Sequence, residues 1–237
     1  MTDDHEVASG INRLPAYTVG VEHEYKWLLD QTPGDVPEAL GSMGLSAGYP
    51  VRTANDVTHS SVYFDDPGWS LARAGLSLTL RVYHGTMRAF GALVAKHTLE
   101  WRDGRRDAAE LAVRVDPRRA EESLQDWELL PLRHLARYFH RRLPLSPYAT
   151  AVQVRKQARL GTALALSLDR TSISRPADPK PLDERTWLEI ECNEPGRGTL
   201  RELGDLAGKI TAAVGRAPHE LTKPEMAARL MGWDGTR

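Results

Sequence analysis

The sequence predicts an α+β protein: an eight-stranded antiparallel β-barrel with helices packed outside it. Three observations carry this. About eight stretches between Thr18 and Cys192 alternate apolar and polar residues at period two, enough strands to close a small barrel with room for a ligand. Turn chemistry separates them, as at Asp65-Asp66-Pro67-Gly68 and Asp103-Gly104. Helix-starting boxes, Thr199-Leu-Arg-Glu202 and Thr222-Lys-Pro-Glu225, follow the last stretch.

Composition narrows the function classes. The 237 residues are enough to bury a substantial core. Lys and Arg number 31 against 32 Asp and Glu, so there is no global electrostatic case for nucleic acid or for an anionic membrane surface. The single cysteine, Cys192, excludes an internal disulfide framework and any zinc site of several thiolates, and suits a reducing cytoplasm. No stretch approaches the roughly 18 apolar residues of a membrane span, and Met1 to Gly10 is too acidic and polar for a signal sequence. The expectation is a cytoplasmic protein with a flexible leader over residues 1–17 and one domain over 18–237.

Within that domain the first strand is Thr18 to Leu29, whose Glu22, Glu24 and Lys26 share one face. Alternate residues of a strand lie roughly 6.5 to 7 Å apart, so two carboxylates can converge on one divalent ion beside a lysine that neutralises an anion. Gln31 to Val51 reads as a connection with a short helix over Asp35–Leu40, and Ser61 to Phe64 as the second strand. Trp69 to Ala74 reads as a helical turn stopped by Gly75. Leu76 to Tyr83 alternates cleanly, with Leu76, Leu78, Leu80 and Val82 behind and Ser77, Thr79, Arg81 and Tyr83 in front.

Ala92 to Leu99 puts Lys96 on a face with Val94 and Thr98. Arg106 to Val115 follows, with Arg106, Ala108, Glu110, Ala112 and Arg114 in register. A helical insertion is expected over about 117–147, its Arg133, Arg137 and Arg141 forming a solvated face. Ala151 to Leu160 aligns Gln153, Arg155, Gln157 and Arg159. The next strand sets Asp169 opposite Leu164, Leu166 and Leu168, and Thr186 to Cys192 places Glu189 and Glu191 together. On an open sheet these charges face water. In a closed barrel they face the lumen, where an unpaired ion costs several kcal/mol and needs counter-charge, water or ligand. A lumen of both signs suits a polyanion carried with a divalent cation.

In this order the residues resemble the CYTH superfamily of triphosphate tunnel metalloenzymes. Glu22-His-Glu24-Tyr-Lys26 matches its Glu-x-Glu-x-Lys signature. Tyr63-Phe64-Asp65, Ala74-Gly75-Leu76-Ser77-Leu78 with Arg81, Lys96, Arg106 with Glu110, Arg155, Asp169, Glu189-Ile-Glu191 and Lys223 follow in the family's sequence, over roughly residues 18 to 230. The resemblance implies a tunnel that binds a triphosphate and hydrolyses or cyclises it with Mg²⁺ or Mn²⁺. Glu22, Glu24, Glu189 and Glu191 would hold metal, with Asp169 as an additional ligand. Lys26, Arg81, Lys96, Arg106, Arg155 and Lys223 would hold phosphates, and Glu24, Lys26 and Lys96 would act in catalysis, Glu24 by positioning the attacking water. Lys223 opens a helix, where free N–H groups also favour an anion.

Two positions depart from the family: Thr79 stands where an arginine is frequent, and Ala108 where a carboxylate is. The expected function is a metal-dependent triphosphatase acting on the terminal phosphoanhydride of an inorganic or organic triphosphate. The alternatives are a cyclase making cAMP from ATP and a module that holds polyphosphate without turnover. Specificity is expected at the tunnel mouth, in loops at Gln31–Asn55 and Arg170–Arg185. The ends of such tunnels are also where the fold pairs, which admits a homodimer.

Overall fold

The computed structural model describes residues 17–84, 90–161, 164–192 and 196–236. The leader expected over residues 1–17 therefore lies outside the described residues, except for Tyr17, where the first strand begins. In chain order the elements are β1 (Tyr17–Leu29), α1 (Val36–Ser42), β2 (Val51–Asp65), α2 (Ser70–Arg73), β3 (Leu76–His84), β4 (Phe90–Arg102) and β5 (Arg105–Val115). A 3-10 turn (Pro117–Arg119), α3 (Ala120–Ser123) and α4 (Leu130–Tyr138) precede β6 (Ser146–Leu160), β7 (Leu164–Arg175), β8 (Asp178–Cys192), α5 (Arg197–Val214) and α6 (Lys223–Leu230).

The eight strands form one closed antiparallel barrel in the order β1-β5-β4-β3-β2-β6-β7-β8, with β8 returning to β1. Its hydrophobic core lies outside the wall, between strands and helices. Leu76, Leu78 and Leu80 of β3 and Leu93 of β4 pack with Leu132 and Leu135 of α4. On the other side, Leu166, Leu188 and Ile190 pack under Leu203, Leu206 and Ile210 of α5 and Leu40 of α1. Each fully buried aliphatic side chain is worth about 1.5–3 kcal/mol, so the outer faces stabilise the barrel and the inner faces are left for charge.

Local chemistry explains the tight connections. Asp103 and Gly104 join β4 to β5 with φ of 52° and 79°, both left-handed as a two-residue hairpin turn requires. Before α2, the Asp65 carboxylate accepts from the backbone N–H of Asp66, Leu71 and Ala72, and Asp66 accepts from Gly68 and Ser70. The helical turn then ends at Gly75, φ 66°. Asp35 caps α1 through the Glu38 N–H.

Four sequence expectations need correction. The second strand starts at Val51 rather than Ser61, because β6 pairs with it along its whole length while its polar run gives no alternation to read. Residues 170–185 form the outer part of the β7–β8 hairpin instead of a loop, with Thr171 opposite Arg185 and Ile173 opposite Asp183. The insertion between β5 and β6 is three short pieces, α4 carrying Pro131 in its first turn, where proline is tolerated; Arg133, Arg137 and Arg141 are exposed, as expected. Finally, α5 begins ahead of the Thr199 box, with Gly196 at the N-cap and no side-chain cap. The box at Thr222 forms as read, Thr222 and Glu225 each holding the other's backbone N–H.

Candidate active site

Period-two alternation on β1 turns Glu22, Glu24 and Lys26 inward, while His23, on the outer face, meets Asp107 at 2.7 Å. The inner wall collects Arg81 from β3, Lys96 from β4, Arg106 and Glu110 from β5, Arg155 from β6, Glu189 and Glu191 from β8, and Lys223 from the start of α6. All of them line one cavity of about 400 Å³. Ser61, Ser77, Gln153 and Thr222 share that lining without having been assigned a role from sequence; the first three stand on the inward parity of Tyr63, Arg81 and Arg155, which was the available signal. Arg159, on the same parity as Arg155, is exposed and stays outside the cavity.

The buried charges are paired tightly. Glu24 accepts from Lys26 at 2.7 Å and from Arg106 at 2.9 Å. Burial opposes ionisation of Glu24, yet Lys26, Arg106 and Lys96 hold its carboxyl well below the usual carboxylate range. Lys96 bridges Glu22 and, at 2.9 Å, Glu110. Against the cost of burial, those carboxylates and Glu24 keep its ammonium above the ordinary lysine value. Glu189 meets Arg155 at 2.8 Å and Lys223 at 2.9 Å.

Asp169 occupies a different place from its expected one. It is fully buried, outside the cavity lining, and receives both the Arg155 fork, at 2.8 and 2.6 Å, and the Lys223 ammonium. Burial would raise its pKa, but Arg155 and Lys223 reverse that and hold the carboxyl low. The free N–H groups expected beside Lys223 are also mostly absent: Thr222 and Glu225 use theirs in the capping box, and Pro224 has none.

Glu191 alone of the four expected metal carboxylates forms no salt bridge among the described residues. Burial, then the neighbouring Glu22 and Glu189 carboxylates, push it up to about 8 despite Arg155 and Lys96. It also stands directly opposite Glu24 across the β1–β8 seam. No three carboxylate, histidine or thiol groups among the described residues converge as a ready-made metal site. The donor chemistry nevertheless fits a divalent ion, since Glu22, Glu24, Glu189 and Glu191 offer the hard oxygen ligands that Mg²⁺ or Mn²⁺ takes.

The two departures from the family pattern are both inward. Ala108, wholly buried, lies opposite Glu22, so the missing carboxylate is missing beside a retained one. Thr79 lines the cavity between Tyr63 and Val94. His59, on the same face of β2 as Ser61, is held neutral, its pKa lowered to about 2 by burial and by Arg81, Arg155 and Lys223.

Solved structures match this barrel along most of its length. A Hippeastrum protein, described as a candidate adenylyl cyclase with a dominant triphosphatase activity, is 18% identical over 88% of this chain and 95% of its own, with a TM-score of 0.59. The chain has the CYTH-like triphosphate-tunnel fold. A Pyrococcus horikoshii protein (14% identity, 88% and 98% covered, TM-score 0.56) and a candidate adenylate cyclase of Bacillus halodurans (11%, 88% and 96%, 0.56) share the tunnel architecture. No protein-family model matches the sequence, and no curated protein does. At these identities the likeness is one of three-dimensional shape. Among the described residues no helix is long and apolar enough to cross a membrane.

Proposed function

We propose that the tunnel binds a linear triphosphate and hydrolyses its terminal phosphoanhydride with a divalent metal ion. The observation that carries this reading is the lining itself: Lys26, Arg81, Lys96, Arg106, Arg155 and Lys223 share one cavity with Glu22, Glu24, Glu189 and Glu191. The six cations supply charged N–H donors of the kind that phosphate oxygens take, and the clustered carboxylates beside them match the ion that accompanies a triphosphate. The triphosphatase activity described for the Hippeastrum protein supports hydrolysis over cyclisation.

In this reading the cations hold the phosphate oxygens and neutralise the charge spread over the transferring group, which is most of what in-line displacement at phosphorus requires. Glu22, Glu24, Glu189 and Glu191 would hold Mg²⁺ or Mn²⁺, which when bound supplies Lewis-acid stabilisation of phosphoryl oxygens and acidifies a coordinated water. Glu24, kept ionised by Lys26 and Arg106, orients the attacking water by accepting its hydrogen bond. Water oxygen bonds to the terminal phosphorus as the bridging P–O bond breaks, the diphosphate portion leaves, and the water's proton ends on the phosphate products. Lys26 and Lys96 lie where they can neutralise the charge that develops. Asp169, fully engaged by Arg155 and Lys223, serves to aim those two cations at the cavity.

Phosphate release from inorganic triphosphate, thiamine triphosphate, ATP and longer polyphosphate, with Mg²⁺, with Mn²⁺ and with chelator, tests the proposal. Metal-dependent loss of one terminal phosphate is the expected result. Production of cAMP and pyrophosphate would replace hydrolysis by cyclisation, and tight binding without product would leave a holding module.

A further inference from the structure

The chain that follows the barrel carries Lys223 into the cavity, and on its way it crosses one end of the wall. His219 donates its backbone N–H to the Lys26 carbonyl at 2.7 Å, near the end of β1. Pro218 lies so close to the β4–β5 turn that a Cβ added at Gly104 would come within 2.8 Å of it. The His219 ring stacks on Trp187 of β8, 5.4 Å between centroids and 24° between planes. Trp187 is wholly buried and stands on the inward parity of Glu189 and Glu191. The chain then passes over β7, β6 and β2, where Ala227 of α6 packs with Ile173, Ala149, Ala151 and Tyr63. The Tyr148 hydroxyl donates to the Pro224 carbonyl at 3.0 Å, and Ala228 packs with Ala72 of α2.

This crossing gives the cavity a floor. Lys26, Tyr63, Thr222, Lys223 and Pro224 line it at the crossed end, and Thr18 and Gly20 line it at the opposite end, where β1 begins. Thr18 and Lys26 are eight residues apart on one strand, about 26 Å at the usual rise. Glu24, assigned to the attacking water, bonds Lys26 and Arg106, both toward the floor. The phosphorus attacked is then the deepest one, and its leaving group lies between it and the mouth. The outer β7–β8 hairpin, expected from sequence to shape the mouth, belongs to the floor instead, through the packing of Ile173 on Ala227.

We infer that the segment from Pro218 to Leu230 closes the tunnel at one end, so that substrate enters and both products leave by the mouth at the start of β1, orthophosphate last. This rests on the triphosphate reading above and adds the direction of binding and the order of release. It also sets a steric rule. A substituent is accepted on the phosphate left at the mouth and rejected on the phosphate that meets the floor, because there it clashes with packed chain.

Calorimetric titration of the full chain, in chelator so that no turnover intervenes, tests the floor. The probes are inorganic triphosphate, triphosphate with a methyl or a phenyl ester at one end, and triphosphate with the same ester at both ends. Methyl and phenyl esters of equal number carry equal charge, so their affinity ratio reads size alone. The first phenyl can stay in the mouth, whereas the second must meet the floor and should cost at least tenfold more than the first. A second phenyl that costs the same as the first would mean an open far end, overturning the inference and leaving the triphosphate reading intact. Product inhibition of triphosphate hydrolysis with Mg²⁺ reads the order of release. Orthophosphate, leaving last, meets the same empty tunnel as substrate and should compete with it, while pyrophosphate should lower the maximal rate. Orthophosphate lowering the maximal rate while pyrophosphate only competes would reverse the order and overturn the inference. Failure of inorganic triphosphate to bind, in chelator and with Mg²⁺ alike, would overturn both readings.

Discussion

Glu24 and Glu191 face each other directly across the seam where β1 meets β8, one held by two cations and the other in no salt bridge among the described residues. The contrast sets the pH behaviour of the tunnel. Glu191, raised to about 8 by burial and then by Glu22, must lose a proton to serve as a metal ligand. Divalent-ion binding should therefore tighten between pH 6 and 9 and release a proton, measurable by titration calorimetry in two buffers of different ionisation enthalpy. Glu191→Gln should abolish the released proton; release unchanged in that variant would remove Glu191 from the metal set.

The same shift affects stability with a defined sign. A carboxyl raised on folding favours the native state when protonated, so its contribution is undiminished below the unfolded value of 4.5. It is lost progressively as pH rises toward about 8. Metal-free protein should show a higher Tm at pH 6 than at pH 8.5, and Glu191→Gln should flatten that part of the profile. A wild-type Tm that climbs over this interval for the metal-free protein, with Glu191→Gln following the same curve, would contradict it.

Glu24→Gln keeps the shape of the side chain and removes its charge. Metal-dependent turnover should fall about 100-fold or more, with the circular dichroism spectrum unchanged. Full activity in this variant would show that the chemistry lies elsewhere.

Asp169→Asn separates a metal ligand from a residue that aims cations. With Arg155 and Lys223 left uncompensated in a buried position, stability should fall by about 3–5 kcal/mol in denaturant titration. Mn²⁺ affinity should stay close to wild type. The reverse pattern, weaker Mn²⁺ binding at unchanged stability, would return Asp169 to the metal set.

Leu80→Ala should cost about 2–5 kcal/mol, because Leu80 is buried in the outer core with Leu93 and the leucines of α4. Denaturant midpoints read this without reference to activity. A loss under ~0.5 kcal/mol would mean that the helices contribute little to holding the wall.

What the sequence made legible follows from how each feature is encoded. β3 is written in alternating leucines, all of which pack outward, and its inward partners Ser77, Thr79 and Arg81 line the cavity as their parity requires. The first half of β2 and the outer β7–β8 hairpin carry no such code. The first half of β2 is paired by β6, distant in sequence, and in both segments the side chains are mostly polar on both faces. The site residues were legible as a set, since one inward parity collects them and the Glu-x-Glu-x-Lys stretch marks the face. Their pairings were not. That Asp169 binds Arg155 and Lys223, while Glu191 forms no salt bridge among the described residues, depends on the register of β6, β7 and β8 and on the approach of α6. The stacking of Tyr83 on Phe90 was not legible, because Phe90 lies ahead of the strand read at Ala92–Leu99 and only the register sets the two rings side by side.

Closure by the first and last strands has a consequence for how the protein is made. Glu22 and Glu24 leave the ribosome with β1, whereas Glu189 and Glu191 emerge only with β8, so neither half of the carboxylate cluster meets the other until the wall is complete. A barrel joined through such distant segments belongs to the slow-folding topologies. No ligand can template the early stages, because no partial chain contains the site. Bound metal and triphosphate would instead act on the finished molecule, latching the β1–β8 seam and slowing its reopening in proportion to their concentration.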